Sequence, residues 1–474
     1  MTSPAENKPF ELFLQFSRSE FGDNAYVIPE ESLEYQRTDL DGGKVSTASL
    51  PWNRATIKNG LAALQTEDAK SASILTTLGG ELQRFLRACR VDGLLEKAYA
   101  AKQPIRLTIR SAAAELYALP WELTRLEDND LALAQIPDCT IRYTWPTAAN
   151  RAVVNAAPRP EGGRILYAWS PGNGSSVPWK EHLEALEAAR DAIGGDEKQR
   201  RELFDRERDM VAHASFQAIR SKLEHAALQE KRPYDILHLL CHGGDLEDGE
   251  GIGLVFTTDN DRKKGFSADG RQTNDVTNLR KQTVPPNEIS TLFEEIRDQK
   301  PILVVVCACL GSAPVKPGSH LGSVALAFHR QGIESVIASR FLLSKAGSIL
   351  LCAELYGSLL GTINKTPLSL EAAVSAARKR LRRDRPHIPD YAALQLFQNT
   401  TGWDTRPVVF RPYRGLLTFG LEHQRYFFGR DVEVKETVDD LGNLIQGSAD
   451  EIGHPRPRFL IVAAASGTGK SSMV

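Results

Sequence analysis

Disulfide bonds are the first feature that the sequence lacks. Its 474 residues contain only six cysteines, namely Cys89, Cys139, Cys241, Cys307, Cys309 and Cys352. Two of them stand two positions apart in one apolar run, and the set shows no spacing typical of a disulfide framework. We therefore expect all six to be reduced thiols.

Membrane segments, a secretory signal and an excess of one charge are also missing. No stretch approaches about 20 uninterrupted apolar residues, and residues 1–9 lack the apolar core of a signal peptide. The formal net charge is -2, so the chain has no overall basic field for nucleic acid. We expect a cytoplasmic protein with no membrane partner and no direct nucleic-acid partner.

The length and the composition of the chain predict several globular domains. With 42% hydrophobic and 25% charged residues, 474 residues exceed what one hydrophobic core usually supports. We divide the chain into an N-terminal α/β domain at 1–160, a second α/β domain at 161–400, and a linker with the start of a third unit at 401–474. The first boundary lies in the Pro- and Gly-rich segment 155–163.

Strand and helix patterns alternate through the second domain. Apolar, β-branched runs predict strands, and amphipathic stretches between them predict helices. The predicted strands are Ile165–Trp169, Asp235–Leu240, Gly253–Phe256, Pro301–Val306 and Glu334–Ala338. Such runs indicate a parallel sheet with helices on both faces, so the fold class is α/β, a parallel-sheet sandwich. The polar stretch Thr257–Pro286 is long for a connection and predicts a functional or disordered loop.

Two of these strands end in reactive side chains next to glycine. One run ends in Cys-His-Gly-Gly at 241–244, and another ends in Cys-Ala-Cys-Leu-Gly at 307–311. A thiol becomes a useful nucleophile when an imidazole takes its proton, so His242 and Cys309 form a candidate catalytic dyad. The N–H groups of Gly243 and Cys309 could stabilise the oxyanion on an attacked carbonyl. A packing role is the alternative for each residue alone, and we expect His238 and Cys241 to be buried.

These motifs resemble the CHAT domains of the caspase, separase and gingipain clan. The resemblance includes Leu119–Leu123, Asp235–Gly243, Val304–Gly311, Gly332–Ala338 and Ala372–Arg378. It implies a caspase-like peptidase domain and an N-terminal α/β domain of pseudo-caspase type. It also implies a cytoplasmic endopeptidase that a partner or an upstream protease activates. Family analogy suggests a bacterial signalling or antiviral defence cascade.

The resemblance also implies where the substrate binds. Clan members build the first pocket from the residue two before the nucleophile and from the strand that corresponds to Ser335–Phe341. Cys307, Ser339 and Arg340 are therefore the expected substrate-binding residues. Arginine-specific relatives often have Asp at the first of these positions. Because that acid is missing, we expect a neutral or acidic residue before the scissile bond, with Arg340 available to an acidic one.

A partial phosphate-binding loop stands near the end of the chain. Strand Arg458–Ala463 leads into Ala-Ala-Ser-Gly-Thr-Gly-Lys-Ser at 464–471, in which Ala464 replaces the expected first glycine. The expected nucleotide-binding residues are Gly467, Gly469, Lys470 and Ser471. The chain ends at Val474, so we expect ATP and Mg²⁺ to bind only in a longer parent chain. The peptidase itself should need no cofactor and no metal.

Residues 412–416 and 426–431, upstream of this loop, resemble the entry segment of STAND-type signalling NTPases. This likeness implies a parent architecture in which an NTPase controls the peptidase. Two alternatives to an active peptidase follow: a catalytically inactive caspase-like adaptor or scaffold coupled to such an NTPase, and a phosphate-ligand switch. The second alternative would need the rest of the NTPase core.

Overall fold

The structure is a computed structural model of the chain. It describes residues 8–18, 34–38, 44–49, 55, 59, 70–91, 93–111, 114–126, 131–136, 138–145, 163–171, 177–193, 197–246, 252–265, 279–296, 299–309, 322–340, 343–363, 367–399 and 430–446. All statements below refer to these residues.

Thirteen strands in the described part of the chain form one sheet. They are β1 (Phe10–Arg18), β2 (Glu34–Thr38), β3 (Lys44–Ser49), β4 (Ile105–Ser111), β5 (Cys139–Thr144), β6 (Ile165–Trp169), β7 (Met210–Val211), β8 (Ile236–Asp245), β9 (Ile252–Thr257), β10 (Lys281–Val284), β11 (Leu303–Cys309), β12 (Ser335–Ser339) and β13 (Leu394–Gln398). The main path runs β10-β9-β8-β11-β12-β13-β5-β4-β1-β2-β3, and β6 pairs with both β7 and β8.

Helices connect and cover these strands. The α-helices are α1 (Lys70–Ala88), α2 (Leu94–Ala100), α3 (Ala114–Ala118), α4 (Trp179–Asp191), α5 (Glu197–Leu203), α6 (Arg206–Asp209), α7 (Phe216–Glu224), α8 (Asp259–Arg262), α9 (Pro286–Ile289), α10 (Gly322–Arg330), α11 (Lys345–Leu359), α12 (Leu370–Asp384), α13 (Asp390–Ala393) and α14 (Asp431–Gln446). Short 3₁₀ or π segments occupy Trp121–Leu123, Leu133–Gln135, His225–Gln229, Lys263–Gly265 and Ser290–Phe293.

The predicted α/β class is confirmed, and the sheet is mixed but mostly parallel around its centre. β8 pairs in parallel with β6 and β11, and β11 pairs in parallel with β12. Antiparallel pairs occur at one edge, where β9 joins β8 and β10 joins β9, and also in the middle of the path, where β13 is antiparallel to β12. The side chains of β11 from Leu303 to Ala308 are all buried, as expected for a central strand with both faces covered.

The N-terminal strands continue the sheet that the later strands form. β5 pairs in parallel with β4, and it joins β13 at a single register pair, Tyr143 with Phe397. One sheet therefore contains strands from both sides of residue 160. The division of the chain into two domains at that residue stays a prediction. Side-chain packing also joins the two parts, because the ring centroids of Tyr143 and Phe397 lie 5.4 Å apart.

Local sequence signals explain where the helices around the sheet begin and end. Ser344 and Ser369 cap α11 and α12, because their hydroxyls accept hydrogen bonds from the N–H groups of Gly347 and Ala372. Beyond α10, Gly332 has φ 85°, a left-handed conformation that glycine adopts without strain and that turns the chain into β12.

The described parts of the polar stretch Thr257–Pro286 contain regular structure, whereas residues 266–278 lie outside the described residues, so the expectation of a functional or disordered loop stays a prediction. The described parts hold α8, a short 3₁₀ segment and strand β10, which pairs antiparallel with β9. β10 has the sequence Lys-Gln-Thr-Val and lies at the end of the sheet path, where only one neighbour is needed and polar residues suit an edge.

Hydropathy along the helices gives one further result. Among the described residues, no helix combines the length and the apolar character needed to span a bilayer.

Neutral, buried histidines predict a loss of stability in acid. The backbone N–H of Trp145 donates to His329 Nε2 at 3.1 Å, and burial lowers the pKa of His329 from 6.5 to about 3. Between these two values the unfolded chain binds a proton that the folded chain does not, so stability falls as the pH falls from 6.5 towards 3. For His329→Gln, which keeps an acceptor but does not titrate, we expect a shallower dependence of unfolding free energy on pH, by about 1.4 kcal/mol per pH unit.

Denaturant titrations of both proteins between pH 6.5 and 4 measure this difference. Parallel curves would show that His329 does not remain neutral in the folded protein.

Candidate active site

The backbone brings the two predicted dyad residues together. His242 lies in β8, Cys309 is the last residue of β11, and the two are direct register partners in this parallel pair. Neighbouring strands stand about 4.8 Å apart, so the Cα atoms of His242 and Cys309 are adjacent. The His242 side chain is buried, with 4% of its surface exposed.

His242 lies where β8 changes its neighbour. On one side β8 pairs with β6 as far as Leu240, and from His242 onwards the same side pairs with β9. The sequence predicts that the strand ends at this point, and this prediction is wrong, because β8 continues to Asp245. The side of β8 that faces away from β11 thus changes its neighbour between Leu240 and His242.

Gly243 therefore lies inside a strand and pairs with Leu254 of β9. Its expected contribution of an N–H group to an oxyanion hole stays a prediction. The neighbouring Gly244 explains why this part of β8 is rich in glycine. A Cβ atom on Gly244 would lie 2.6 Å from the Val255 side chain, so only glycine permits such close approach of β9.

Two of the three expected substrate-binding residues lie near the dyad. Cys307 stands two residues before Cys309 on β11, and Ser339 ends the adjacent strand β12. Both side chains are fully buried. The Ser339 hydroxyl has no hydrogen-bond partner among the described residues, which is compatible with a polar group that a ligand would satisfy. Their substrate-binding role stays a prediction.

Arg340 does not have the predicted role of pairing with an acidic substrate residue. Its side chain has no exposed surface, and the Nη1 atom donates to Glu122 Oε2 at 2.8 Å. The Nη2 atom donates to the hydroxyl of Tyr143 at 2.7 Å. The guanidinium is thus committed to an interior cluster, and the prediction for Arg340 is wrong.

A chain of buried hydrogen bonds lies beneath the dyad strands. Tyr356 Oη is 2.9 Å from His238 Nδ1, and His238 Nε2 is 3.2 Å from His182 Nδ1. His182 Nε2 is 3.2 Å from Ser348 Oγ. The chain connects β8 with α4 and α11, and it confirms the expectation that His238 is buried and hydrogen-bonded.

Ser348, at one end of this hydrogen-bond chain, determines which atom donates in each bond. Ser348 has one hydroxyl proton, which it donates to the Lys345 carbonyl at 2.8 Å, so it accepts from His182 Nε2. His182 Nδ1 then accepts from His238 Nε2, and His238 Nδ1 accepts from Tyr356. Burial lowers the pKa of His238 to about 3. Burial also lowers the pKa of His182, and the nearby His238 lowers it further by charge repulsion. Both rings are therefore neutral.

Within the described residues, one cluster has the donor atoms to hold a metal ion. The ligand atoms of His182, His238 and Cys352 lie within 4.8 Å of one another. However, all four ring nitrogens already take part in the hydrogen-bond chain. Burial also raises the pKa of the Cys352 thiol, which disfavours the thiolate that a metal would need. We interpret the cluster as a hydrogen-bonded support for β8.

The sequence did not reveal this support or the partners of Arg340. Glu122, His182, Ser348 and Tyr356 stand in ordinary helical or turn sequences, far from the dyad motifs. A polar residue in an apolar context, such as Glu122 after Pro-Trp, is the only signal that the sequence offers. Nucleotide-binding residues Gly467, Gly469, Lys470 and Ser471 lie outside the described residues.

Two protein families match the sequence of this chain. The CHAT domain matches residues 76–407, and the family called Novel STAND NTPase 1 matches residues 412–474. No curated protein sequence matches this chain.

Solved structures give more distant similarities. Gingipain R, an Arg-specific cysteine proteinase, is 10% identical with a TM-score of 0.39, and the match covers 69% of this chain and 68% of that one. The Saccharomyces cerevisiae separase–securin complex, in its 2.6 Å structure, gives 14% identity and a TM-score of 0.34. That match covers 64% of this chain but only 17% of the other.

Proposed function

The chain belongs to the CHAT-domain family, and we propose that it is a cysteine endopeptidase with Cys309 as nucleophile and His242 as general base. The observation that carries the proposal is the register pair of Cys309 with His242 on adjacent parallel strands. Adjacent Cα atoms allow an imidazole and a thiol to come within hydrogen-bonding distance, which is the requirement for an activated cysteine.

The proposed reaction proceeds through an acyl-enzyme. His242 takes the proton of the Cys309 thiol, and the thiolate attacks the carbonyl carbon of the scissile peptide bond. The C–N bond breaks as His242 gives the proton to the leaving amine, and a water molecule deprotonated by His242 then hydrolyses the thioester. The N–H groups of Gly243 and Cys309 would stabilise the oxyanion. Thiol and imidazole suffice, so peptidases of this clan need no cofactor.

We propose a protein substrate with a neutral residue before the scissile bond. Cys307 and Ser339, the two residues placed near the dyad, are uncharged. Arg340 is unavailable for an acidic substrate residue because Glu122 and Tyr143 occupy its guanidinium. A buried lysine or arginine of the substrate would meet no carboxylate from these residues, and an unpaired buried charge costs several kcal/mol.

A peptide chloromethyl ketone and mass spectrometry of the intact protein test the dyad. We expect one adduct, on Cys309, because the other five cysteines are buried. Burial raises the pKa of Cys89 and that of Cys139 to about 12, which makes these thiols poor nucleophiles. His242→Ala should slow the labelling about 10²-fold or more. Absence of an adduct on Cys309, or labelling that is independent of His242, would contradict the proposal.

Incubation with a proteome and sequencing of the new N-termini would identify substrates and the residue before the cleaved bond. Cleavage mainly after Arg or Lys would contradict the proposed neutral preference.

A second candidate is a catalytically inactive scaffold coupled to a nucleotide-binding NTPase. The match of residues 412–474 to the Novel STAND NTPase 1 family favours coupling to an NTPase for either function. We propose that such coupling places the peptidase in a regulated signalling or defence cascade. The scaffold function requires no reactive Cys309, so the labelling experiment separates the two candidates.

A further inference from the structure

A buried cluster of charged residues joins the N-terminal part of the sheet to the segment that follows β12. Glu122 lies in the 3₁₀ segment Trp121–Leu123, and Tyr143 lies in β5. Arg340 follows directly after β12, and Arg378 lies in α12. The side chains of Glu122 and Arg340 have no exposed surface, and that of Arg378 has 4%.

Glu122 is the carboxylate that this cluster contains. Its oxygens accept from Arg340 Nη1 at 2.8 Å, from the Tyr143 hydroxyl at 3.0 Å and from Arg378 Nη2 at 3.4 Å. Two buried guanidiniums therefore share one anion. Burial disfavours the charged form of Arg340, but Glu122 and Tyr143 outweigh it and raise the pKa of Arg340. Loss of the Glu122 charge would leave both cations uncompensated in the interior.

Arg340 is held through its backbone as well as its side chain. Its N–H donates to the Ala393 carbonyl at 2.8 Å, and its Nη1 donates to the Ala392 carbonyl at 2.7 Å. Three residues later, the N–H of Leu343 donates to the carbonyl of Ala308 at 3.2 Å. Ala308 immediately precedes Cys309. Arg340 is thus bound to the cluster, and Leu343 is bound to the residue that precedes the nucleophile at the end of β11.

We propose that Glu122 is a positioning residue for the substrate-binding edge of the peptidase, and that it acts through Arg340. This inference rests on the proposed function. By fixing Arg340, Glu122 sets the position of the residue that follows Ser339, the expected pocket residue at the end of β12. The cluster also links β5 with the residue after β12, because Arg340 Nη2 donates to the Tyr143 hydroxyl. A displacement of the N-terminal part would move the substrate-binding edge by the same contacts.

The test separates substrate binding from the reactivity of the dyad. In Glu122→Gln, which keeps the shape but removes the charge, we expect kcat/KM for a cleaved peptide to fall on the order of tenfold or more, mainly through KM. The rate at which iodoacetamide alkylates Cys309 should stay within about twofold of the wild type, because this small reagent needs only the dyad. Circular dichroism at the assay temperature verifies the fold.

Asp209→Asn provides a matched control. Asp209 is also a buried carboxylate, and it also accepts hydrogen bonds from two arginines and a tyrosine hydroxyl. However, those partners lie near α6 and the start of β6, away from Arg340. Asp209→Asn should lower stability without changing KM.

If Glu122→Gln loses stability as Asp209→Asn does but keeps the wild-type KM, Glu122 is structural only and the inference is overturned. If Glu122→Gln does not fold, Arg340→Lys is tested instead. Lysine keeps the positive charge but cannot make the two-pronged contact of the guanidinium. A wild-type KM in Arg340→Lys would also overturn the inference. Failure of the proposed function gives a different result, namely a wild-type protein that neither cleaves peptides nor reacts at Cys309.

Discussion

Replacement of Cys309 or His242 by alanine should abolish proteolysis without unfolding the protein. Cys309→Ala removes the nucleophile, so turnover of a peptide substrate should fall below detection. His242→Ala removes the general base and should reduce kcat/KM by about 10²–10⁴-fold. Cys309 is the last residue of β11, and His242 is its register partner in β8. Neither residue has a large apolar side chain, so neither substitution opens a large apolar cavity in the core. Peptide cleavage rates and thermal melting of the purified variants measure both effects.

Cys307→Ala is the control for the choice of nucleophile. Cys307 is fully buried two residues before Cys309, and its substitution should leave most of the activity. An inactive Cys307→Ala variant together with an active Cys309→Ala variant would show that the wrong thiol was assigned. The double variant of Cys309 and His242 should lose no more than Cys309→Ala alone, because the two residues act as one unit.

A large loss of stability should follow the single polar substitution Asp209→Asn. Asp209 has no exposed surface, and its Oδ1 atom lies 3.0 Å from Nη2 of Arg164, whose side chain is 1% exposed. The same oxygen accepts from the Tyr234 hydroxyl at 3.0 Å. Asp209→Asn removes the negative charge and leaves the Arg164 guanidinium in the interior without its buried counter-ion. The free energy of unfolding should therefore fall by about 3–5 kcal/mol.

Glu230→Gln tests whether burial causes this effect. Glu230 also pairs with Arg164, at 2.7 Å, but its side chain is 30% exposed and solvent can replace part of the interaction. We expect a loss of about 1 kcal/mol or less. Chemical denaturation of the two variants and the wild type gives the comparison. Equal losses would mean that Arg164 does not depend on a buried partner.

The local sequence determined the elements around the candidate site. The predicted strand Ile165–Trp169 has the observed bounds of β6, and the predicted strand Glu334–Ala338 overlaps β12. These features depend on apolar runs, which act over a few residues. The proposed dyad was also predicted from the sequence, because both motifs combine a buried strand with a reactive residue. Parallel strands bring their carboxyl ends to one edge of the sheet.

Only the tertiary structure decided which polar residues face the interior. The resemblance to CHAT domains implies that Arg340 contributes to substrate binding. In the fold it is buried because Glu122, 218 residues earlier in the chain, supplies the compensating charge. β10 and β13 were missed for a related reason, since a short strand is stabilised by its neighbours more than by its own residues. Pairing between distant segments, in strands and in charges, is information that no local pattern contains.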